Sequence, residues 1–268
     1  MKERIFTGVV LGLLALWGIL GLNHIWFGLV SILVLMICAW EWAKFAGADN
    51  LPQRILYVLI TAGLMLISMY YTTITLLISV VWWMVAWAIV WRCSKEIKPI
   101  SVSVRYLMGF FVIVPTWISL SMLHDLSPML LLFVLLVTTV GDSGAYFVGR
   151  SRGKRKLSPI ISPKKTKEGL LGGVILGGLS GVILGLFLHV DSALGYLLLV
   201  FCGFAIVLFA LLGDLFESMI KRIVGIKDSG NILPGHGGAL DRLDSIFAAM
   251  PLFVVLCILL RIFPGLTF

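Results

Sequence analysis

Long apolar runs constrain the fold of this chain more than any other feature. A membrane-spanning helix needs roughly 20 mostly apolar residues, and nine runs of about this length follow one another here. A hydrophobic content of 60% with a mean hydropathy of +1.08 is not that of a soluble domain. The sequence predicts an all-α, polytopic integral membrane protein. The nine spans are placed near 5–22, 25–43, 55–72, 74–91, 106–123, 129–148, 171–189, 194–216 and 246–263.

The basic residues predict how these spans are oriented. If the N-terminus lies inside, the inner connections hold all but one of the 21 Lys and Arg residues, and only Arg261 falls on the outer side. Cytoplasmic loops carry such an excess of positive charge. We therefore expect an inner (cytoplasmic) membrane protein with its N-terminus inside. The first span resembles a signal peptide but lacks a clear cleavage site, so we expect a retained anchor.

Polar residues divide the chain into two unequal parts. Residues 1–130 are spans with short links, whereas residues 131–268 carry two long polar inner loops, 149–170 and 218–245. We expect one membrane domain over residues 1–268, made of N-terminal helices and a C-terminal catalytic half. The two polar cytoplasmic loops should form the functional site.

Two patterns within the spans predict packing or anchoring rather than chemistry. Trp40 and Trp42 flank Glu41 near the inner end of the second span, where aromatic residues commonly anchor a helix at the interface. We assign Glu41 no catalytic role. In the seventh span, glycines recur every four residues from Gly169 to Gly185, which lets helices approach closely. The partner helix could belong to the same subunit or to another.

The inner end of the eighth span carries a candidate cation site. Asp214, Glu217, Ser218 and Lys221 follow i, i+3, i+4, i+7 spacing and so lie on one face of a helix. Carboxylate and hydroxyl oxygens suit a hard cation, and Lys221 with Arg222 suits phosphate oxygens. The alternative is a solvated helix end held by salt bridges. Against it, Asp214 lies at the edge of an apolar run, where a charge is costly.

The loop that follows is rich in glycine and ends in a second pair of acids. Backbone amides at Gly237 and Gly238 could approach a phosphate, although such residues also form ordinary turns. Asp241 and Asp244 are spaced i, i+3 at the start of a helix. They predict either the second half of a metal site or carboxylates that favour the helix dipole.

The other inner loop is strongly basic. Asp142 again lies near the end of an apolar run, and Lys164, Lys165 and Thr166 predict a loop that holds phosphate. The alternative is that these lysines only mark the inner side. The sequence has no Walker P-loop, HExxH or Gly-x-Ser-x-Gly motif, which argues against a P-loop nucleoside triphosphatase, a zinc protease and an α/β-hydrolase.

Fixed residues at fixed spacing connect both loops with a known family. The second loop reads Ser218-x-x-Lys221-Arg222-x4-Lys227-Asp228-x-Gly230-x-x-Leu233-Pro234-x-His236-Gly237-Gly238-x-x-Asp241-Arg242-x-Asp244, and the first contains GDSGAYFVGR and SPKKTKEG. This pattern resembles the phosphatidate cytidylyltransferases, also called CDP-diacylglycerol synthases. Ala239 departs from it, since the family usually carries a larger aliphatic residue there, and we expect only a packing effect.

The resemblance implies that CTP and phosphatidic acid give CDP-diacylglycerol and pyrophosphate at the inner membrane face. Because two anions must meet, cations are required. We expect Mg²⁺ on Asp214, Asp241 and Asp244, with Asp142 and Glu217 completing a possible second cation site. The expected phosphate and substrate ligands are Lys221, Arg222, Lys227, Arg242, Lys164, Lys165, Thr166, Gly237 and Gly238. Ser218 would contact a cation or phosphate, Asp228 is included with the catalytic residues, and His236 would position substrate.

Further expectations concern partners and rival functions. The substrates imply contact with membrane lipids and no nucleic-acid partner, and the family implies a homodimer. One rival is another CTP-using lipid enzyme, such as a polyprenol kinase, which charge pattern alone does not distinguish. A transporter of a phosphorylated solute is the second rival. It should place acids near the bilayer midplane, whereas the charge here lies on one side.

Overall fold

The fold is that of a computed structural model, in which residues 2–230, 232 and 237–262 are described, with side chains from residue 7 onward. Over these residues the chain forms nine α-helices and one two-stranded antiparallel hairpin. They are α1 (Lys2–Gly21), α2 (His24–Ala46), α3 (Leu51–Ser68), α4 (Thr72–Cys93), α5 (Val102–Leu126), α6 (Pro128–Arg152), β1 (Lys156–Ser158), β2 (Ser162–Thr166), α7 (Lys167–Phe187), α8 (Ala193–Ile223) and α9 (Leu240–Leu259).

The predicted all-α, polytopic membrane architecture is confirmed. Eight of the described helices, α2 to α9, are long and apolar enough to cross a membrane, and α1 contributes a shorter apolar stretch, Thr7–Gly21. The chain is thus an integral membrane protein. The hairpin was not predicted, because a short polar segment between two long apolar runs carries little local signal for strands. Helix α8 continues past the end of its apolar run to Ile223, so Asp214 and Lys221 lie on one helix, as predicted.

Side-chain caps explain where several helices begin. Asn23, Asn50, Ser127 and Ser192 each accept a hydrogen bond from a backbone N–H in the first turn of the helix that follows, which satisfies a group that the helix itself leaves unpaired. Helix α9 differs, because its N-cap residue, Ala239, offers no side-chain acceptor. Its first amides therefore need a partner from elsewhere.

Helices α5 and α9 form the centre of the bundle. The most apolar window of each is 61% buried, against 44% or less for the other candidate spans. Trp42 of α2 belongs to this interior. The prediction that it anchors the helix at the membrane interface is therefore wrong. It is 1% exposed, its Nε1 donates to the carbonyl of Arg105 at 2.8 Å, and its ring stacks on Phe216 of α8. Aromatic burial therefore outweighs the interfacial preference at this position.

The glycine stripe of α7 packs within the subunit. Gly173 lies against the backbone of α6 at Gly141, while Gly177 and Gly181 lie against α8 at Val207 and Leu199. Small residues on one face allow backbones to approach in this way. The stripe therefore holds α7 between α6 and α8, which resolves the alternative that the sequence left open.

We expect Gly181→Ala to destabilise the bundle, because the added Cβ would meet the carbonyl of Leu199, a backbone atom that cannot rotate away. Overpacking of this kind costs about 1–3 kcal/mol. The measurement is the thermal unfolding midpoint of the purified protein in detergent. Gly63→Ala in α3 is the matched control, since among the described residues nothing lies within 4 Å of a Cβ there. Equal midpoints for the two variants would contradict the expectation.

Candidate active site

Polar side chains converge where α2, α6 and α8 end and where α7 and α9 begin. They fall into two groups. The first, which we call the hairpin cluster, comprises Asp142, Lys164, Lys165, Asp214 and Ser218. The second, the α9 cluster, comprises Glu41, Glu217, Lys221, Ser229 and Asp241. Both contain residues that the sequence predicts as site residues, and tertiary packing brings them together from four helices and two connecting segments.

All members of the hairpin cluster except Ser218 line a cavity of about 360 Å³. Lys165 Nζ lies 2.6 Å from Asp214 Oδ2, and Ser218 Oγ donates to Asp214 Oδ1 at 3.2 Å. Asp142 and Lys164 line the same cavity and are solvent-exposed. The side chains of Lys165 and Asp214 remain about one-quarter exposed, at 25% and 26%. A ligand entering the cavity thus meets both carboxylate oxygens and ammonium groups.

Two capping interactions fix the hairpin that carries these lysines. Thr166 Oγ1 accepts the backbone N–H of Gly169 at 3.1 Å and caps α7. Glu168 Oε2 accepts the backbone N–H groups of Lys154 and Arg155, both at 3.1 Å. Sequence reasoning did not single out Glu168, although an acid in the first turn of a helix is a recognisable signal. Thr166 has a structural role here, and its contact with substrate stays a prediction.

The α9 cluster is built around one buried lysine. Lys221 Nζ lies 2.8 Å from Asp241 Oδ1 and 3.2 Å from Glu217 Oε1. Asp241 Oδ2 accepts the backbone N–H groups of Ser229 and Gly238, each at 2.9 Å. Lys221 and Asp241 are 14% and 8% exposed. Glu217 is buried, and among the described residues neither of its carboxylate oxygens has a hydrogen-bond partner, which is costly for a charged group.

Glu41 completes this cluster from the N-terminal half of the chain. It is 3% exposed, and its Oε1 accepts the N–H of Ala239 at 3.1 Å while Oε2 accepts the N–H of Leu240 at 2.9 Å. Ser229 Oγ also donates to Oε2 at 2.9 Å. Sequence reasoning assigned Glu41 no role. An acid inside an apolar span was a signal that could have found it.

Asp244 connects the two clusters. It lies where α8 and α9 touch, since a Cβ on Gly213 would meet the carbonyl oxygen of Asp244. Its carboxylate interacts electrostatically with Asp214 and Lys165 of the hairpin cluster and with Lys221 of the α9 cluster. The predicted acids from the two inner segments therefore do lie in one region.

The remaining predicted residues lie outside the two clusters. Arg222 is exposed, and its Nε donates to the carbonyl of Ile161 at 3.4 Å. Lys227, Asp228 and Arg242 are exposed. Gly237 has a φ of +85°, which favours glycine. The Gly238 amide that was predicted to bind phosphate donates to Asp241 instead, so a phosphate role for it stays a prediction. His236 lies outside the described residues.

The donors available to a metal ion are carboxylate oxygens. Among the described residues, no three His, Cys, Asp or Glu side chains are close enough together to hold a metal by themselves. Mg²⁺, however, commonly uses one or two carboxylates together with substrate phosphates. Asp214 and Asp244 suit that mode. Asp241 is less available, since its side chain is 8% exposed, against 26% for that of Asp214.

Comparison with known proteins extends this pattern over the whole chain. The sequence model of the cytidylyltransferase family matches residues 2–260, which include every described helix. The phosphatidate cytidylyltransferase of Pseudomonas aeruginosa is 39% identical over 264 residues, 96% of each chain. That of Haemophilus influenzae is 33% identical over 94% of this chain and 97% of its own. That of Bacillus subtilis is 53% identical over 110 residues, 41% of this chain and 40% of its own.

Proposed function

This chain belongs to the cytidylyltransferase family, and on that premise we propose that it is a membrane-embedded phosphatidate cytidylyltransferase. It converts CTP and phosphatidic acid into CDP-diacylglycerol and pyrophosphate. The observation that carries the proposal is similarity along nearly the whole chain to two relatives of that name. The site supports it with a charged cavity where several apolar helices end.

A second, apolar groove next to the charged cavity supports a lipid substrate. It has a volume of about 250 Å³ and lies between α4, β1, α7 and α8. Leu157, Leu170 and Leu211 line both the groove and the charged cavity, so the two spaces adjoin. Such a pair of spaces suits a molecule with a phosphate at one end and acyl chains at the other. The groove is lined further by Trp87, Val90, Trp91, Ser94, Ser158, Leu208, Leu212 and Leu215.

The reaction requires charge stabilisation rather than a general base. A phosphate oxygen of phosphatidic acid forms a bond to the α-phosphorus of CTP. The bond from that phosphorus to the bridging oxygen breaks, and its electrons leave with pyrophosphate. The nucleophile is already an anion, so His236 needs only to position substrate. Lys164 and Lys165 on the cavity wall would bind phosphate oxygens and stabilise charge that develops on the leaving group.

We propose Mg²⁺ as the cofactor, held by Asp214 and Asp244. Asp142, which lines the same cavity as Asp214, Asp241 and Glu217 are further candidate ligands for it or for a second cation. When bound, the ion supplies a Lewis acid for phosphate oxygens. We propose further that both clusters face the cytoplasm from the inner membrane, because basic residues are abundant at this end of the helices. The homodimer stays a prediction.

The proposed function is tested with purified protein in detergent, phosphatidic acid, Mg²⁺ and CTP labelled with ³²P at the α-phosphate. We expect a labelled, chloroform-soluble product. A parallel assay uses CTP labelled with ³²P at the γ-phosphate. If label reaches lipid only in that assay, the protein is a lipid kinase instead. If neither label reaches lipid while the protein remains folded, the proposed function is wrong, and transport of a phosphorylated solute should be tested.

We expect Leu208→Trp to impair the use of long-chain phosphatidic acid, because the indole would occupy the apolar groove. Shape changes in apolar pockets alter kcat/KM by about tenfold or more. The measurement compares long-chain and short-chain phosphatidic acid in mixed micelles, and the short-chain lipid should be affected less. Leu197→Trp on the same helix is the control, since Leu197 is 66% exposed and does not line the groove. An equal loss with both lipids would argue against the groove as the acyl site.

A further inference from the structure

We infer that Glu41 is a positioning residue for the site: it anchors Ser229 and the start of α9, and thereby holds Asp241 in place. The inference extends the proposed function, on which its kinetic arm rests. Glu41 lies in α2, in the half of the chain that sequence reasoning excluded from the chemistry. The contacts of its carboxylate join three parts of the molecule that are far apart in sequence.

The first argument concerns the N-terminus of α9. The first amides of a helix lack partners within it, and Ala239 provides no side-chain cap. Glu41 replaces the missing cap from another helix, because its two oxygens accept the N–H groups of Ala239 and Leu240. A carboxylate at this end is also favoured by the helix dipole. The interaction thus fixes where α9 begins, one residue before Asp241.

The second argument concerns Ser229, which links Glu41 directly to Asp241. Ser229 Oγ lies 2.9 Å from Glu41 Oε2 and 3.0 Å from Asp241 Oδ2, and its backbone N–H donates to Asp241. From there the network continues to Lys221 and Glu217. Displacing Glu41 would therefore also displace Asp241 and Lys221 at the centre of the α9 cluster.

The third argument comes from two glycines that enclose the Glu41 carboxylate. A Cβ on Gly230 would meet Glu41 Oε1, and a Cβ on Gly238 would meet Oε2 and the hydroxyl of Ser229. Glycine is therefore needed at both positions so that the backbone there can approach a buried carboxylate. Close approach of the backbone to this side chain is the role that the contacts give both glycines.

The test replaces Glu41 with Gln, which keeps the size of the side chain but leaves a single acceptor oxygen and turns an NH₂ group toward backbone donors. The first readout is trypsin cleavage after Lys227, which is exposed and lies close to Ser229 in the sequence. We expect cleavage there to accelerate at least about tenfold. The reason is that the hydrogen bonds of Glu41 with Ser229 and with the start of α9 restrain the backbone next to Lys227. The thermal midpoint reports whether the rest of the fold is intact.

The second readout compares the effect of the substitution on kcat with its effect on the KM for CTP. We expect kcat for cytidylyl transfer to fall about 10²-fold, the order found when a catalytic group moves by about 1 Å. The KM for CTP should change less than about threefold, because the groups that Glu41 positions stabilise the transition state rather than bind CTP. A residue that served only general stability would lower the amount of folded enzyme and leave the kcat of the folded fraction unchanged.

Glu168→Gln is the matched control, because Glu168 also accepts two backbone amides but in the other inner segment. It should not change cleavage after Lys227. If Glu41→Gln does not fold, Ser229→Ala tests the inference in its place, because it removes one hydrogen-bond donor to Glu41. This variant must then accelerate the same cleavage. Unchanged cleavage in a folded Glu41→Gln or Ser229→Ala protein would overturn the inference. The cleavage readout decides on the anchor even if the protein transfers no cytidylyl group.

Discussion

Asp214→Asn is expected to reduce cytidylyl transfer about 10²- to 10³-fold while the protein stays folded. Asp214 lies on the wall of the charged cavity and accepts from Lys165 and Ser218. Asparagine keeps the shape of the side chain but removes the charge that a cation and Lys165 require. Removing one preorganised charged group near the atoms where charge develops in the transition state typically lowers kcat by this factor. The measurement is the initial rate with α-labelled CTP over a range of Mg²⁺ concentrations.

The control for Asp214→Asn is Asp191→Asn. Asp191 is exposed in the connection between α7 and α8, away from both clusters, and its replacement should leave the rate unchanged. Binding of CTP with Mg²⁺ should raise the thermal midpoint of the parent protein more than that of Asp214→Asn. Activity of Asp214→Asn within about tenfold of the parent would contradict the place given to Asp214.

Lys221→Met is expected to lower the free energy of unfolding by about 3–5 kcal/mol, the usual cost when a buried ion pair loses one partner. Lys221 is the cation shared by Asp241 and Glu217. Without it, the Glu217 carboxylate is left in the interior, where the described residues offer it no hydrogen bond. Thermal unfolding in detergent measures the loss, and transfer activity should disappear with it.

A second substitution separates the two effects of Lys221→Met. Adding Glu217→Gln removes the unpaired charge, so the double variant should regain much of the lost stability but little of the activity. Lys98→Met is the control, because the Lys98–Glu96 ion pair lies on the surface, where such pairs contribute little. A Lys221→Met protein as stable as the parent would show that the α9 cluster does not depend on this cation.

Local spacing was sufficient to predict part of the site. Along α8, residues four apart share a face of the helix, and the contacts of Ser218 with Asp214 and of Lys221 with Glu217 follow from it. The contact between Lys165 and Asp214 was not predictable in this way. It joins residues 49 positions apart through the unpredicted hairpin and the packing of α7 against α8.

The sequence by itself determined the membrane class, the helical architecture and the two polar segments, because the length of apolar runs and helical periodicity are local properties. The tertiary structure alone decided that Trp42 is buried, that the α7 glycines pack within the subunit, and that Glu41 caps α9. Each of these depends on which helix faces which, and the partner of Glu41 is up to 199 residues away along the chain. Burial and hydrogen bonding are set by neighbours in space, and no local pattern specifies a neighbour at that distance.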